Sequence, residues 1–155
     1  MNLGRLGVVA VLTALATCAH AANDTAGDWE GNYVCAQGPT ALTLRISPEP
    51  ANQVIALFHF HARPDNPLVP EGCFEMAGAY QPETGQIDLS AGRWILEPPG
   101  FVTVDLSGTV SRDGSQMTGS VLGPGCTVFS LHRVVAVSRQ IPKACLANNV
   151  VANAK

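Results

Sequence analysis

Between residues 41 and 47 the chain alternates strictly: Leu42, Leu44 and Ile46 are apolar, and Thr43 and Arg45 between them are polar. Residues 101–111 repeat the pattern, with Val102, Val104 and Leu106 set against Thr103, Asp105 and Ser107. A period of two turns one face of a strand to a core and the other to water, and a slip by one residue would reverse every side chain. Eight short segments of this β character follow one another from Asp28: Asp28–Ala36, Ala41–Ser47, Val54–Ala62, Cys73–Gln81, Gln86–Ile95, Phe101–Ser111, Gln116–Leu122 and Thr127–Val137. No stretch after the first segment begins carries an apolar stripe at the helical period. The 15 glycines and 11 prolines punctuate the segments as turn formers. The expected fold class is all-β.

Short connections make neighbours in sequence neighbours in space. Eight strands so joined form an antiparallel up-and-down meander, which can close into a barrel and so remove both sheet edges. The architecture expected is an eight-stranded antiparallel barrel; a two-sheet sandwich is the alternative. Three tight polar turns, Pro48–Gln53, Pro82–Gly85 and Arg112–Ser115, are alternate connections and so share one end, here called the bottom. Gln37–Thr40, Arg63–Gly72, Leu96–Gly100 and Gly123–Cys126 fall at the other end, the top; they are rich in Pro and Gly. Closure places the end of the first strand opposite the start of the eighth, which predicts a Cys35–Cys126 disulfide. Cys73 and Cys145 are then left to pair, tying the tail of residues 138–155 to a barrel domain of residues 22–137.

The residues ahead of the barrel read as an export signal, residues 1–21: Arg5 supplies the positive start, Val8–Ala16 the short apolar run, and Ala19-His20-Ala21 the cleavage site. The apolar run is too short to span a membrane, which takes about 20 residues. Leu15-Ala16-Thr17-Cys18 also has the look of a lipoprotein signal, with Cys18 as the acylation site. Cleavage after Ala21 removes Arg5 and no acid, so the net charge of −3 becomes −4. An even set of four cysteines after residue 21 in a small exported chain predicts two disulfides and a periplasmic or secreted protein. No cluster of Lys and Arg marks a nucleic-acid surface.

Alternation assigns Trp29, Tyr33, Leu42, Leu44, Ile46, Phe58, Phe60, Phe74, Met76, Ile87, Leu89, Val102, Val104, Leu106, Met117, Val121, Phe129 and Leu131 to the interior, and none of them is charged. An enzyme needs an acid, base or nucleophile in a sheltered site. Glu30, Glu75, Asp88 and Asp105 alternate outward, Glu97 lies in a turn, and phosphate-loop, dinucleotide and nucleophile-elbow motifs are missing. The chain therefore reads as a non-enzyme without a cofactor. His59 and His61 are two apart on one strand, so they share a face at metal-ligand spacing; facing outward and without a third ligand, they read as solvated, and no metal site is expected. Leu68, Val69, Trp94, Pro98, Pro99 and Phe101 gather near the top and could form an apolar patch for a protein or a small apolar ligand.

The opening W-x-G-x-Y-x-C (Trp29, Gly31, Tyr33, Cys35), the Gly125-Cys126 pair and the stretch Trp94–Gly108 resemble small exported bacterial β-barrel domains of unassigned function. The Tyr33-x-Cys35 start is also similar to the periplasmic C-type lysozyme inhibitors, eight-stranded barrels with a disulfide to the last strand. That likeness implies an inhibitor or immunity-type protein against a cell-wall-degrading enzyme such as lysozyme. The lysine of the inhibitors' working loop has no counterpart, since the lysines here are Lys143 and Lys155, both in the tail. The Gly27-x-Trp29 start is similar to lipocalins and avidins in architecture alone.

Overall fold

A computed structural model of the chain describes residues 25–146. The export-signal segment, Cys18 and residues 147–155 lie outside the described residues. Eight strands follow in order: β1 Gly27–Cys35, β2 Gly38–Pro48, β3 Gln53–His61, β4 Gly72–Gln81, β5 Gln86–Leu96, β6 Asp105–Val110, β7 Gln116–Leu122 and β8 Val128–Val134; a single turn of helix, α1 Lys143–Leu146, ends the described chain. Each strand pairs antiparallel with the next, and β1 pairs with β8, so the sheet is one closed up-and-down barrel. Every residue assigned inward by alternation is buried in one cluster except Val102.

Val102 is 61% exposed. The reason is that β6 starts later than the alternation suggests: β5 and β6 pair only between Gln86–Leu89 and Leu106–Thr109. Above that level the two strands part, and residues 97–104 run across the top without a ladder partner.

A bulge in β5 changes which side chains face inward. Met76 pairs with Ala91 and Phe74 with Trp94, so three steps on β5 match two on β4. The extra residue reverses the alternation. Trp94 therefore turns in to meet Phe74, with ring centroids 5.1 Å apart in a T-shaped contact. Arg93 turns out and donates to Glu75 at 2.6 and 2.8 Å.

The lower half of the barrel is filled. Trp29 closes the bottom, its Nε1 donating to the Thr25 carbonyl at 2.9 Å and the Arg133 guanidinium lying 4.4 Å above its ring. On the wall, Gly108 faces Gly119 across β6 and β7. A Cβ at either would come within 2.8 Å of the Phe129 ring, which occupies the space that two side chains would take.

Both disulfides pair as barrel closure predicts: Cys35 with Cys126 and Cys73 with Cys145. Two bridges indicate folding in an oxidising environment. The second bridge holds a strap. After β8 the chain crosses the outside of the barrel: the Ser138 backbone N–H donates to Glu30 on β1 at 2.6 Å, and Ile141 and Cys145 bury against Leu57 on β3, Cys73 on β4 and Ile95–Leu96 on β5. The strap gives the barrel a small second core on its outer face.

Candidate functional site

The top of the barrel carries an open depression above a packed aromatic cluster. A pocket of about 380 Å³ opens there, within the ~300–1,000 Å³ range usual for small-molecule sites. Beneath it strand alternation packs Tyr33 from β1, Phe58 and Phe60 from β3 and Phe74 from β4, all less than 5% exposed, and the partly exposed Phe101 comes from the segment that crosses the top. Phe58 stacks on Phe74 at 4.5 Å between centroids, and Phe60 stacks on Phe101 at 5.4 Å. Tyr33 meets both Phe58 and Phe60 edge-on, at 5.3 and 6.4 Å. The Cys35–Cys126 bridge, Val102 and Pro124 complete the rim.

No charged side chain lines this pocket. Its polar groups come from one short relay. The Gln37 side-chain amide donates to the Tyr33 hydroxyl at 3.1 Å and to Thr40 Oγ1 at 3.2 Å; Thr40 in turn donates to the Gly38 carbonyl at 3.1 Å. Burial raises the Tyr33 hydroxyl far above the ordinary phenol range, outweighing its hydrogen bonds to Thr40 and Gln37, so it stays protonated. The site is thus a neutral depression over packed aromatic rings, with a phenol and a carboxamide at one side.

The six residues that the sequence gathers near the top do not share one surface. Phe101 lines the pocket. Trp94 stands behind the wall, edge-on to Phe60 at 6.2 Å and to Phe74. Val69 and Pro98 are buried. Pro99 is exposed, and Leu68 is 92% exposed at the tip of the β3–β4 loop. That loop is braced: Arg63 pairs with Asp65 at 2.7 Å and reaches Asn32, and the Asn66 amide caps the Gln37 and Pro39 carbonyls at 2.8 and 3.0 Å.

The histidines need a correction. His59 does point outward from the barrel, but it is 0% exposed rather than solvated, because the strap and the β3–β4 loop cover it. Its Nε2 lies 2.9 Å from Glu71, which also accepts from Arg139 of the strap at 3.1 Å. Its Nδ1 has no partner. Burial lowers the His59 pKa, against the pull of Glu71. His61 Nδ1 lies 2.8 Å from the Ala62 carbonyl. Among the described residues no group of three or more His, Cys, Asp or Glu is placed to hold a metal ion.

The outward carboxylates are all engaged by neighbours: Glu30 by Ser138, Glu75 by Arg93, Asp88 by Ser107 at 2.6 Å, and Asp105 by the Ala91 backbone N–H at 2.7 Å. At the bottom, an open groove of about 750 Å³ runs between the turns after β4 and β6. Two of its charged groups serve those turns: Asp113 accepts from Ser111 and Ser115, and Arg133 donates to the Gly114 carbonyl.

No protein-family model, curated protein or solved structure matches the chain. The residues themselves carry the functional reading.

Proposed function

We propose that this is an exported, periplasmic or secreted, non-catalytic binding module that holds a small apolar ligand in the aromatic pocket at the top of its barrel. One observation carries the reading: a charge-free depression, floored by a packed aromatic cluster, opens at the end where the loops are long and rich in Pro and Gly. Sites for small molecules are concave and mostly apolar, with few polar groups to orient the ligand. Without a charged group in the pocket, there is no acid, base or ionised nucleophile for chemistry there.

The test is native mass spectrometry of protein exported by cells, followed by titration with neutral apolar compounds. The expected result is a non-covalent adduct that disappears on denaturation and is lost in Val102→Trp, which plugs the mouth from a position already half in solvent. Absence of any adduct, with no movement of pocket amide signals on titration, would overturn the reading.

The braced β3–β4 loop favours a second reading, an inhibitor or immunity-type protein. Its tip presents Leu68 with its conformation fixed beforehand, which lowers the ordering cost of docking into a partner's cleft. Val102, Leu122 and Val128 are also exposed at this end. On this reading Leu68→Asp weakens a complex with a lysozyme or other cell-wall hydrolase by at least tenfold and leaves small-ligand binding unchanged.

A further inference from the structure

We propose that the strap is an acid-released latch: protonation of His59 lifts residues 139–144 off the outer wall and bares the apolar strip beneath them. This latch works on the outside of the barrel and does not depend on the depression at the top.

One oxygen holds the latch closed. Glu71 Oε1 lies 2.9 Å from His59 Nε2 and also accepts from Arg139 Nε of the strap at 3.1 Å. The carboxylate partner sets the tautomer: Nε2 carries the proton and Nδ1 is bare. Nδ1 is buried with no partner, and His59 as a whole is 0% exposed. Neutral His59 therefore sits dry under its cover. An unpaired acceptor there costs little beside a charge in the same place.

A second proton has one place to go, Nδ1, and the new N–H would meet no acceptor. Its charge would also set two cations, His59 and Arg139, on the same Glu71 oxygen. No other element offsets it. The cross-strand neighbours are Thr43 on β2, which is neutral, and Cys73 on β4, which is bridged. His61, the next outward residue on β3, has its ring centroid 5.5 Å away; it and Arg139 oppose the charge, and Glu71 favours it. The helical turn α1 brings the bridged Cys145 and the exposed Lys143. Burial outweighs the pull of Glu71, so the covered ring resists the proton. Water relieves both faults once the cover lifts. Of the two covers, the β3–β4 loop is braced by Arg63, Asp65 and Asn66, whereas the strap between Ser138 and Cys145 has one apolar anchor, Ile141, and the half-exposed Arg139. The strap is the cover that yields.

The opening is local. Leu57, Cys73, Ile141 and Cys145 form a core of their own, apart from the barrel interior. Lifting the strap uncovers Leu57, Ile95 and Leu96 and leaves the closed ladder of β1–β8 unbroken. The Cys73–Cys145 bridge and the bonds of Ser138 to Glu30 keep both ends of the segment in place, so it recloses at neutral pH. The sign follows from linkage. The uncovered ring takes its proton at about pH 6.5 and the covered ring only lower, so acid favours opening by at most about tenfold per pH unit across that interval.

The test uses the oxidised mature protein and a water-soluble phosphine, which reduces disulfides in acid as well as at neutral pH. Cys73–Cys145 is buried at the foot of the strap, at 0% and 4% exposure; Cys35–Cys126, whose Cys126 is half-buried, reports the reductant's own pH dependence. The ratio of the two initial reduction rates, read by mass after alkylation, measures opening. It is expected to rise about tenfold between about pH 7 and pH 5, starting near pH 6.5 and stopping where the His59 ring signal titrates. His59→Gln, which keeps an N–H for Glu71 and takes no charge, should hold the ratio flat, and His61→Gln should leave the rise in place. A flat ratio in the wild type overturns the latch, as does an equal rise in His59→Gln. A wild-type rise that stops where His61 or His132 titrates overturns it even if His59→Gln does not fold. Loss of amide protection throughout β1–β8 along with the rise would mean global unfolding and would overturn the local opening.

Discussion

His59 shows how a residue's register can be legible while its surroundings are not. Alternation places it outward beside His61, and the structure agrees about direction. What covers it is the strap and Glu71, both remote in sequence, so no local pattern could reveal its burial. That burial gives a pH dependence with a definite sign. The folded protein holds His59 neutral with its pKa lowered below the ordinary value, while the unfolded chain takes up a proton below about pH 6.5. Stability is therefore full above that pH and falls as the pH drops through the interval down to the lowered folded value. Glu71 is lowered as well: burial pushes it up, but Arg139 and His59 hold it below its usual range. The thermal midpoint of the wild type should fall between pH 7 and 5, and His59→Gln, which keeps an N–H for Glu71 but takes no charge, should flatten that fall. Gly119 gives a second residue-scale prediction. A Cβ there would lie 2.2 Å from the Ser107 carbonyl and 2.5 Å from the Gly108 Cα, both backbone atoms that cannot step aside. Gly119→Ala should cost about 1–3 kcal/mol or more in urea unfolding, as overpacking does.

At the level of elements, the strands were readable because each buries one face, and the eight alternating segments map one to one onto β1–β8. Two features escaped that reading for a shared reason: both depend on partners rather than on local pattern. The bulge in β5 is set by pairing with β4, and without it Arg93 instead of Trp94 would face the aromatic wall. The end of β6 is set by where β5 stops pairing, which is why Val102 leaves the core. The pocket was legible only in its ingredients. Tyr33, Phe58, Phe60 and Phe74 were read as interior and do pack as core, but the depression above them depends on where residues 97–104 cross the top. The strap is held by one apolar anchor, Ile141, by three hydrogen bonds from Ser138 and Arg139 to Glu30 and Glu71, and by a disulfide. Cys145→Ser paired with Cys73→Ser should free it. Hydrogen exchange should then rise over residues 137–146 and around His59, with β7 and β8 keeping their protection. Loss of protection throughout the barrel would show that the strap is part of the main cooperative unit.

For the whole molecule, the two bridges divide the work between the ends of the barrel. Cys35–Cys126 spans 91 residues and forms part of the pocket rim; Cys73–Cys145 spans 72 and holds the strap. Each should contribute about 2–4 kcal/mol by limiting the unfolded chain. Removing either pair with serines should lower the thermal midpoint, but only Cys35→Ser with Cys126→Ser should also weaken ligand binding. Equal loss of binding from both pairs would mean that the pocket responds to stability alone. The placement of β1 has a separate consequence. Gly27 starts that strand at the bottom, beside the Trp29 plug, and the aromatic mouth is at the opposite pole. Anything that grips the chain ahead of Gly27, whether a sensor chip, a bead or a fused carrier, therefore stands the barrel on its base with its opening turned outward. A grip beyond Leu146 takes hold of the side wall and lays the barrel over. An array built through the first attachment would display every opening toward the solution.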